Sequence, residues 1–132
     1  MAQSVLSACR VSSNFHARYL ARARTYVYRV ATGCTTYSDL PVFERDLCWA
    51  NWRGNLRFWE LEFVSRSFLY KQVRRMVGAL VAIGQSRLQP HHIQELLAAR
   101  DLMAYPPNIM APPDGLFLKH VEYYQSDLET ED

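Results

Sequence analysis

Three stretches of the chain alternate large apolar or aromatic residues with other residues, and this two-residue period restricts the fold more than any other feature. Side chains on a strand point alternately to the two faces of a sheet, so the pattern predicts strands. In the first stretch, Tyr26, Tyr28 and Val30 share one face. The stretches are Arg24–Val30, Leu56–Val64 and Leu116–Tyr124. The segments Thr32–Pro41 and Asn51–Asn55 are rich in turn-forming residues and predict the connections.

Between the second and third strands the apolar period changes to that of helices. One apolar stripe follows a 4-3-4-3 spacing and predicts a helix over Phe68–Ile83, with Ser67 as its N-cap and Gly84 at its end. The stripe consists of Leu69, Val73, Met76, Leu80 and Ile83. A shorter helix is predicted from Pro90, with its inward residues being Ile93, Leu96 and Leu97.

This order of elements predicts an α+β fold, with a mixed or antiparallel sheet and helices packed on one face. The length of 132 residues fits one domain. We assign residues 1–126 to that domain and residues 127–132 to an acidic tail.

The net charge of +2 hides an uneven distribution of charged residues. Residues 1–100 hold 14 of the 15 Lys and Arg residues but 6 of the 13 acids, and 13 of the 15 cations are arginine. The guanidinium group contacts phosphate in two-point geometry and stacks on bases. The charge therefore favours a polyanionic partner.

The sequence lacks the patterns that are typical of several kinds of segment and site. No apolar run is long enough to span a membrane. Cys9, Cys34 and Cys48 are an odd number without a CxxC pair, which disfavours disulfides and zinc and fits a reducing compartment. Because His91 and His92 are adjacent, we expect them to point to different helix faces, with no acid at ligand spacing and no metal site. Residues 1–38 contain five arginines and no acid, as in an organelle transit peptide, although the strand from Arg24 favours membership of the folded domain.

Two patches combine arginine with apolar residues. Phe15–Tyr28 interleaves arginines with aromatic residues, which suits a stacking platform beside a phosphate clamp for unpaired RNA. The ordinary alternative is that the tyrosines are half-buried sheet residues and the arginines are solvated. Phe68–Gly84 is an amphipathic helix with cations near its start, where an arginine facing a pocket would lower the pKa of a bound carboxylate. Its alternative is a solvated basic face.

Three stretches, in this order, resemble the TruA-type tRNA pseudouridine synthases and most closely the pseudouridylate synthase-like proteins of animals. They are FHARYLARARTYVYRV, FLYKQVRRMVGALVAIG and APPDGLFLKHVEYY. The resemblance implies isomerisation of uridine in tRNA or another structured RNA, without a cofactor. In that reaction an aspartate assists breakage of the glycosidic bond, the uracil turns, and a bond forms to its C5 atom.

The resemblance also implies roles for individual residues. Tyr26 matches the tyrosine that packs against the target uridine, and Leu116 matches the apolar residue that lines the base pocket. Arg74 matches the basic residue that pairs with the catalytic aspartate. Arg18 and Arg24 match positions that contact the RNA backbone.

The chain departs from the family pattern in two places. The nucleophilic aspartate of the family lies in an RxDxGVHA-like motif upstream of the first stretch, and that motif is absent. Asp39, Asp46, Asp101, Asp114 and Asp127 all lie in a different sequence context. A helical stretch after the tyrosine strand is also missing, which indicates an internal deletion near residues 49–55. The chain therefore resembles the C-terminal half of such an enzyme, and we expect it to be inactive alone.

The departures leave two other outcomes open. One is a non-catalytic RNA-binding remnant that uses an arginine and tyrosine face, and the other is a chain that folds poorly because the missing half exposes apolar sheet surface. The basic N-terminus and the animal relatives indicate mitochondria, with the cytoplasm or nucleus as alternatives. The resemblance fixes neither the target uridine nor the oligomeric state.

Overall fold

The computed structural model describes residues 5–33, 49–50 and 55–129. The regular elements are β1 (Ala21–Thr32), β2 (Trp49–Ala50), β3 (Arg57–Ser65), α1 (Gln72–Gly84), α2 (His91–Ala99), β4 (Leu116–Tyr123) and α3 (Gln125–Leu128), with 3-10 turns at Leu102–Ala104 and Pro113–Gly115. The described residues leave out most of the two predicted turn segments, positions 51–54 of the predicted deletion site and residues 130–132 of the acidic tail. They also leave out Cys34, Cys48, Asp39 and Asp46.

The long strand β1 organises the sheet, because every other strand pairs with it. Its antiparallel register with β3 runs from Arg24 opposite Ser65 to Thr32 opposite Arg57. Its antiparallel partner β4 shifts register between Thr25 and Tyr26, and β2 pairs with it in parallel. The predicted α+β fold and its three strands are confirmed, with ends that differ by a few residues.

The core lies between the β1 face that carries Tyr28 and the helix α1. It consists of Tyr28, Val30, Val73, Val77, Val81 and Ala111. The prediction that Leu69 and Leu80 face inward was wrong, because they are 79% and 46% exposed. The buried side of α1 instead carries valines four residues apart beside small residues such as Gly78. A Cβ atom at Gly78 would lie 2.1 Å from the Ile109 carbonyl oxygen, so this side of the helix is pressed against a loop that large residues would displace.

Helix α1 begins four residues later than the sequence predicted, and Ser67 is not its N-cap. Lys71 precedes the helix in the left-handed region, with φ of 59°. The Gln72 side-chain oxygen accepts the Leu69 N–H at 2.8 Å, which satisfies a donor in this irregular segment. The helix ends at Gly84 as predicted.

Helix α2 starts at His91, one residue later than predicted, and Pro90 is its N-cap. Its residue Leu97 does not point inward, because it is 71% exposed. None of the residues of α2 is buried, since the helix covers the molecule at its surface and half-buries only one side. No helix in the described ranges combines the length and apolar character needed to cross a membrane.

Side chains from the core fix the loop that leads into β4. The hydroxyl of the fully buried Tyr28 donates to the Pro112 carbonyl at 2.6 Å. The hydroxyl of Tyr105 donates to the Arg75 carbonyl at 2.9 Å. Burial raises the pKa of Tyr105 to about 12, and the nearby Arg75 charge offsets part of that effect. A Cβ atom at Gly115 would lie 2.4 Å from the Arg29 carbonyl oxygen, so only glycine allows β4 to begin here.

Candidate nucleic-acid interface

An open cavity of about 430 Å³ lies beside the start of β1. The turn that precedes β1 forms one side, and the segment that follows β3 forms the other. Its lining residues are Arg18, Tyr19, Ala21, Arg24, Tyr26, Arg66, Ser67 and Phe68. The strand register explains this meeting, because Arg24 lies opposite Ser65 and the next residues of the chain leave the sheet there.

Tyr26 presents the aromatic surface inside the cavity. Its ring packs edge-to-face against Phe68, with the ring centroids 5.2 Å apart and the planes at 88°. Tyr28 lies on the same sheet face two residues later, but it is fully buried and its hydroxyl is occupied by Pro112. Only the first tyrosine of this pair therefore reaches a ligand in the cavity.

Arg24 holds the two sides of the cavity together. Its Nη1 atom donates to the Arg66 carbonyl, and its Nη2 atom donates to the Arg18 carbonyl, both at 2.5 Å. The expected contact of Arg24 with RNA backbone thus competes with two main-chain hydrogen bonds. The side chains of Arg18 and Arg66 are exposed around it.

The cavity is electropositive. Three guanidinium groups line it, and none of the described lining residues carries a carboxylate. Concentrated charge of one sign around a concave surface attracts a ligand of the opposite sign. Phosphate groups meet this requirement, and the aromatic rings of Tyr26 and Phe68 add surface for a base.

Arg74 and Leu116 are not among the residues that line this cavity. The Arg74 Nε atom donates to the Ala111 carbonyl at 2.8 Å, and the Ala111 N–H donates to the Arg74 carbonyl at 3.1 Å. Within the described residues, the Arg74 side chain makes no ion pair. Leu116 lies opposite Tyr28 and packs against the core cluster, as Tyr26 does. The structure therefore brings Arg18, Arg24 and Tyr26 into one cavity and places Arg74 and Leu116 around the neighbouring core.

Sequence reasoning missed Arg66, Phe68 and Tyr19 as lining residues. Phe68 was assigned to the start of a helix, although it precedes α1 and folds against Tyr26. Arg66 lies near Arg24 because of the register between β1 and β3, and the sequence does not give that register. The position of Tyr19 next to Arg18 in an arginine and aromatic patch was the one available signal.

The expectation that His91 and His92 point to different helix faces, with no acid at ligand spacing, was wrong, whereas the absence of a metal site stays a prediction. Their ligand atoms and those of Glu95 lie within 4.8 Å of one another, and Glu95 follows His91 at a spacing of four residues. The two ring centroids lie 4.3 Å apart, and the Nδ1 atom of His92 accepts the Gln89 N–H at 2.8 Å. In neutral His92 this places the proton on Nε2, so the ring has no free nitrogen for a cation while the hydrogen bond lasts.

Comparison of the sequence with known proteins identifies a family. A family model described as tRNA pseudouridine synthase matches residues 30–124, which include β3, α1 and the loop around Ala111. The chain belongs to the tRNA pseudouridine synthase family. The match covers two of the three stretches that carry the resemblance in the sequence.

Individual relatives extend the match to most of the chain. It is 40% identical to tRNA pseudouridine synthase-like 1 of Xenopus laevis, covering 94% of this chain and 60% of the relative. It is 36% identical to tRNA pseudouridine synthase-like 1 of Homo sapiens, covering 90% of this chain and 58% of the relative. It is 32% identical to tRNA pseudouridine synthase A of Nitrosomonas eutropha, covering 91% of this chain and 57% of the relative. The chain thus spans less than two thirds of the length of these relatives.

Proposed function

We propose that this chain is the RNA-binding, base-holding part of an enzyme that converts uridine to pseudouridine in tRNA. The observation that carries the proposal is the arginine-lined cavity with Tyr26 and Phe68, in a chain whose relatives are tRNA pseudouridine synthases. An extruded base gains stacking energy on the rings, and its phosphates gain contacts with Arg18 and Arg66. These gains offset the unstacking cost of a few kcal/mol.

The reaction breaks the bond between C1′ of the ribose and N1 of uracil and then forms a bond between C1′ and C5. The proton on C5 leaves and N1 gains a proton, so the base is isomerised without an oxidant or cofactor. The protein must hold the detached uracil within bonding distance of the sugar while it turns. We assign the stacking of the ring to Tyr26 in the cavity. On the resemblance alone we assign the apolar contact to Leu116, which packs against the same core cluster as Tyr26 but outside the cavity lining.

Arg74 is assigned to hold the catalytic aspartate in its ionised form. Its Nε atom is occupied by Ala111, while its two Nη groups remain for a carboxylate supplied from outside the described residues. Among the described residues no carboxylate pairs with Arg74, which supports the expectation that the chain alone does not turn over. Oxygen atoms of such a carboxylate would be charge-paired with the guanidinium group, which lowers its pKa.

The alignments support the proposed internal deletion. The match to the Xenopus relative extends over 181 aligned positions, whereas the chain has 132 residues. The relative must therefore carry residues within the matched region that have no counterpart here.

Two measurements on the purified chain test this function. Incubation with tRNA labelled with tritium at C5 of uridine should release no tritium, and robust release would contradict the inactivity of the chain. Binding of the same tRNA should weaken as salt rises, because phosphate contacts release counterions. Arg18→Ala and Arg66→Ala should each lower the salt slope by about 1. The control Arg87→Ala changes an exposed arginine that does not line the cavity, and it should leave binding unchanged.

A non-catalytic RNA-binding remnant is the second candidate, favoured by the cavity lining without a carboxylate. It predicts the same salt-dependent binding, so a fusion experiment separates the two. The N-terminal part of the Xenopus relative, joined ahead of this chain, should restore tritium release if this chain holds the base and the aspartate correctly. Binding without any release in the fusion would favour the remnant.

We propose a mitochondrial location on the acid-free, arginine-containing residues 1–38. Residues 21–32 of this segment form β1, so a removable targeting signal would have to end before that strand. Fluorescence microscopy of the chain tagged at its C-terminus distinguishes mitochondria from the cytoplasm and nucleus.

A further inference from the structure

The side chain of His16 accepts two main-chain hydrogen bonds within the turn that precedes β1. The Nδ1 atom of His16 accepts the N–H groups of Arg18 at 3.2 Å and of Tyr19 at 3.1 Å. The His16 carbonyl accepts the Leu20 N–H at 3.0 Å. The Arg18 carbonyl is fixed in addition by the Nη2 atom of Arg24. The Tyr123 hydroxyl of β4 donates to the Ala17 carbonyl at 2.7 Å, so the turn is ordered by contacts within itself, with β1 and with β4.

This turn presents an aromatic ring to solvent. Tyr19 is 73% exposed, yet its ring stacks on the His16 imidazole, with the centroids 4.1 Å apart and the planes at 27°. The guanidinium carbon of Arg18 lies 5.8 Å from the centroid of the Tyr19 ring. An exposed tyrosine ordinarily samples several rotamers, whereas this ring is supported from behind. Its outer face is ready for a flat ligand at a low cost in side-chain entropy.

We propose that Tyr19, supported by His16, is a second base-stacking surface for the unpaired nucleobase adjacent in the RNA to the base held at Tyr26. The inference rests on the proposed function, because it needs RNA at the cavity. Tyr19 and Tyr26 both line that cavity, so a strand that enters it passes both rings. Arg18 lies next to Tyr19 and is placed to contact the phosphate that joins the two nucleotides.

The surroundings favour a nucleic-acid base over an aromatic side chain of a protein. Three arginines line the cavity, and the described lining residues include no acid, so the ligand must carry negative charge along with a flat ring. Every base has a π-face, and stacking tolerates all four bases. The surface at Tyr19 therefore adds affinity with little preference for the identity of the neighbouring base.

A comparison of exposed tyrosines tests the surface. Binding of a single-stranded, uridine-containing RNA is measured by fluorescence anisotropy for Tyr19→Ala, Tyr19→Phe and Tyr124→Ala. Tyr19→Ala should weaken binding by about 5- to 150-fold, the range found when one base loses its stacking partner. Tyr19→Phe keeps the ring and should bind as the unchanged chain does. Tyr124 is 55% exposed, lies against the Arg22 guanidinium group and is outside the cavity, so its variant is the matched control.

A second RNA series localises the contact. Oligonucleotides with an abasic ribose on one or the other side of the target uridine should bind more weakly than the intact RNA. One of these two abasic RNAs should bind the original chain and the Tyr19→Ala variant with the same affinity, because it lacks the base that stacks on Tyr19. Equal sensitivity of both abasic RNAs to Tyr19→Ala would overturn the proposal.

The outcomes distinguish this inference from the proposed function. If Tyr19→Ala binds intact RNA normally while Arg18→Ala and Tyr26→Ala weaken binding, the stacking surface is wrong and the RNA-binding function stands. If the unchanged chain binds no RNA, both are wrong. Circular dichroism shows whether each variant keeps the fold, which is expected for the exposed Arg18, Tyr19 and Tyr124 and serves as the check for the half-buried Tyr26.

Discussion

Replacing Gly78 by alanine tests how α1 is seated against the loop that leads to β4. Two opposing effects apply to this change. Alanine stabilises a helix interior by about 1 kcal/mol relative to glycine. Against this, the added Cβ atom would lie 2.1 Å from the Ile109 carbonyl oxygen and 2.9 Å from the Ala111 nitrogen. These neighbours are main-chain atoms, so they cannot move aside by a side-chain rotation.

The steric effect should exceed the gain in helix propensity. The loop must retreat by more than about 1 Å, since ordinary contact begins at 3.4 Å, and overpacking of this kind costs about 1–3 kcal/mol or more. The retreat also strains the two hydrogen bonds between Arg74 and Ala111, each worth about 1 kcal/mol. We therefore expect a net loss of about 1–3 kcal/mol in the free energy of unfolding.

Urea and thermal unfolding, followed by circular dichroism, measure this loss. The melting temperature should fall by about 3–6 °C for each kcal/mol lost in a chain of this size. Gly84→Ala is the matched control, because Gly84 is exposed at the last position of the same helix, and its change should stay within about 0.5 kcal/mol or be stabilising. An unchanged or raised stability of Gly78→Ala would refute the close contact between α1 and the loop at Ile109.

Three further changes test the core and its hydrogen bonds. Tyr28→Phe should lower the free energy of unfolding by about 1–3 kcal/mol, because the Pro112 carbonyl loses its donor; urea unfolding measures this, and no loss would contradict the bond. Val77→Ala should cost about 2–3 kcal/mol because Val77 is fully buried, whereas Leu97→Ala should cost less than about 0.5 kcal/mol; equal losses in urea would contradict the packing of the helices. Stability should fall as the pH rises from 10.0 to about 12, because Tyr105 loses its proton at lower pH in the unfolded chain than in the folded chain. Tyr105→Phe should make the melting temperature fall less steeply over this range, and equal slopes would contradict the burial of the Tyr105 hydroxyl.

Local sequence patterns predicted the strands and helices well, since alternation and helical spacing depend on neighbouring residues. They failed on the orientation of α1, where Leu80 was expected inside and Val77 is buried instead. Both residues are apolar and both suit a helix, so spacing alone could not rank them. The closeness of the Ile109 loop decided the question, because only a side with small residues admits it.

The candidate site was also predicted in part by local sequence and decided in part by tertiary contacts. The arginine and aromatic patch before β1 indicated RNA, and the family motifs pointed to Tyr26. They did not separate Tyr26 from Tyr28 by accessibility, since both occupy the same sheet face. The distinction depends on Phe68 at one tyrosine and on the Pro112 loop at the other.

The amino-acid sequence by itself determined the strand and helix order, the excess of arginine over residues 1–100 and the family motifs. Only the tertiary structure decided that Arg24 ties Arg18 to Arg66 and that Tyr19 stands ordered at the edge of the cavity. The reason is the range of the interactions involved. Periodicity and charge are properties of adjacent residues, whereas the cavity forms because strand register brings together segments 42 residues apart.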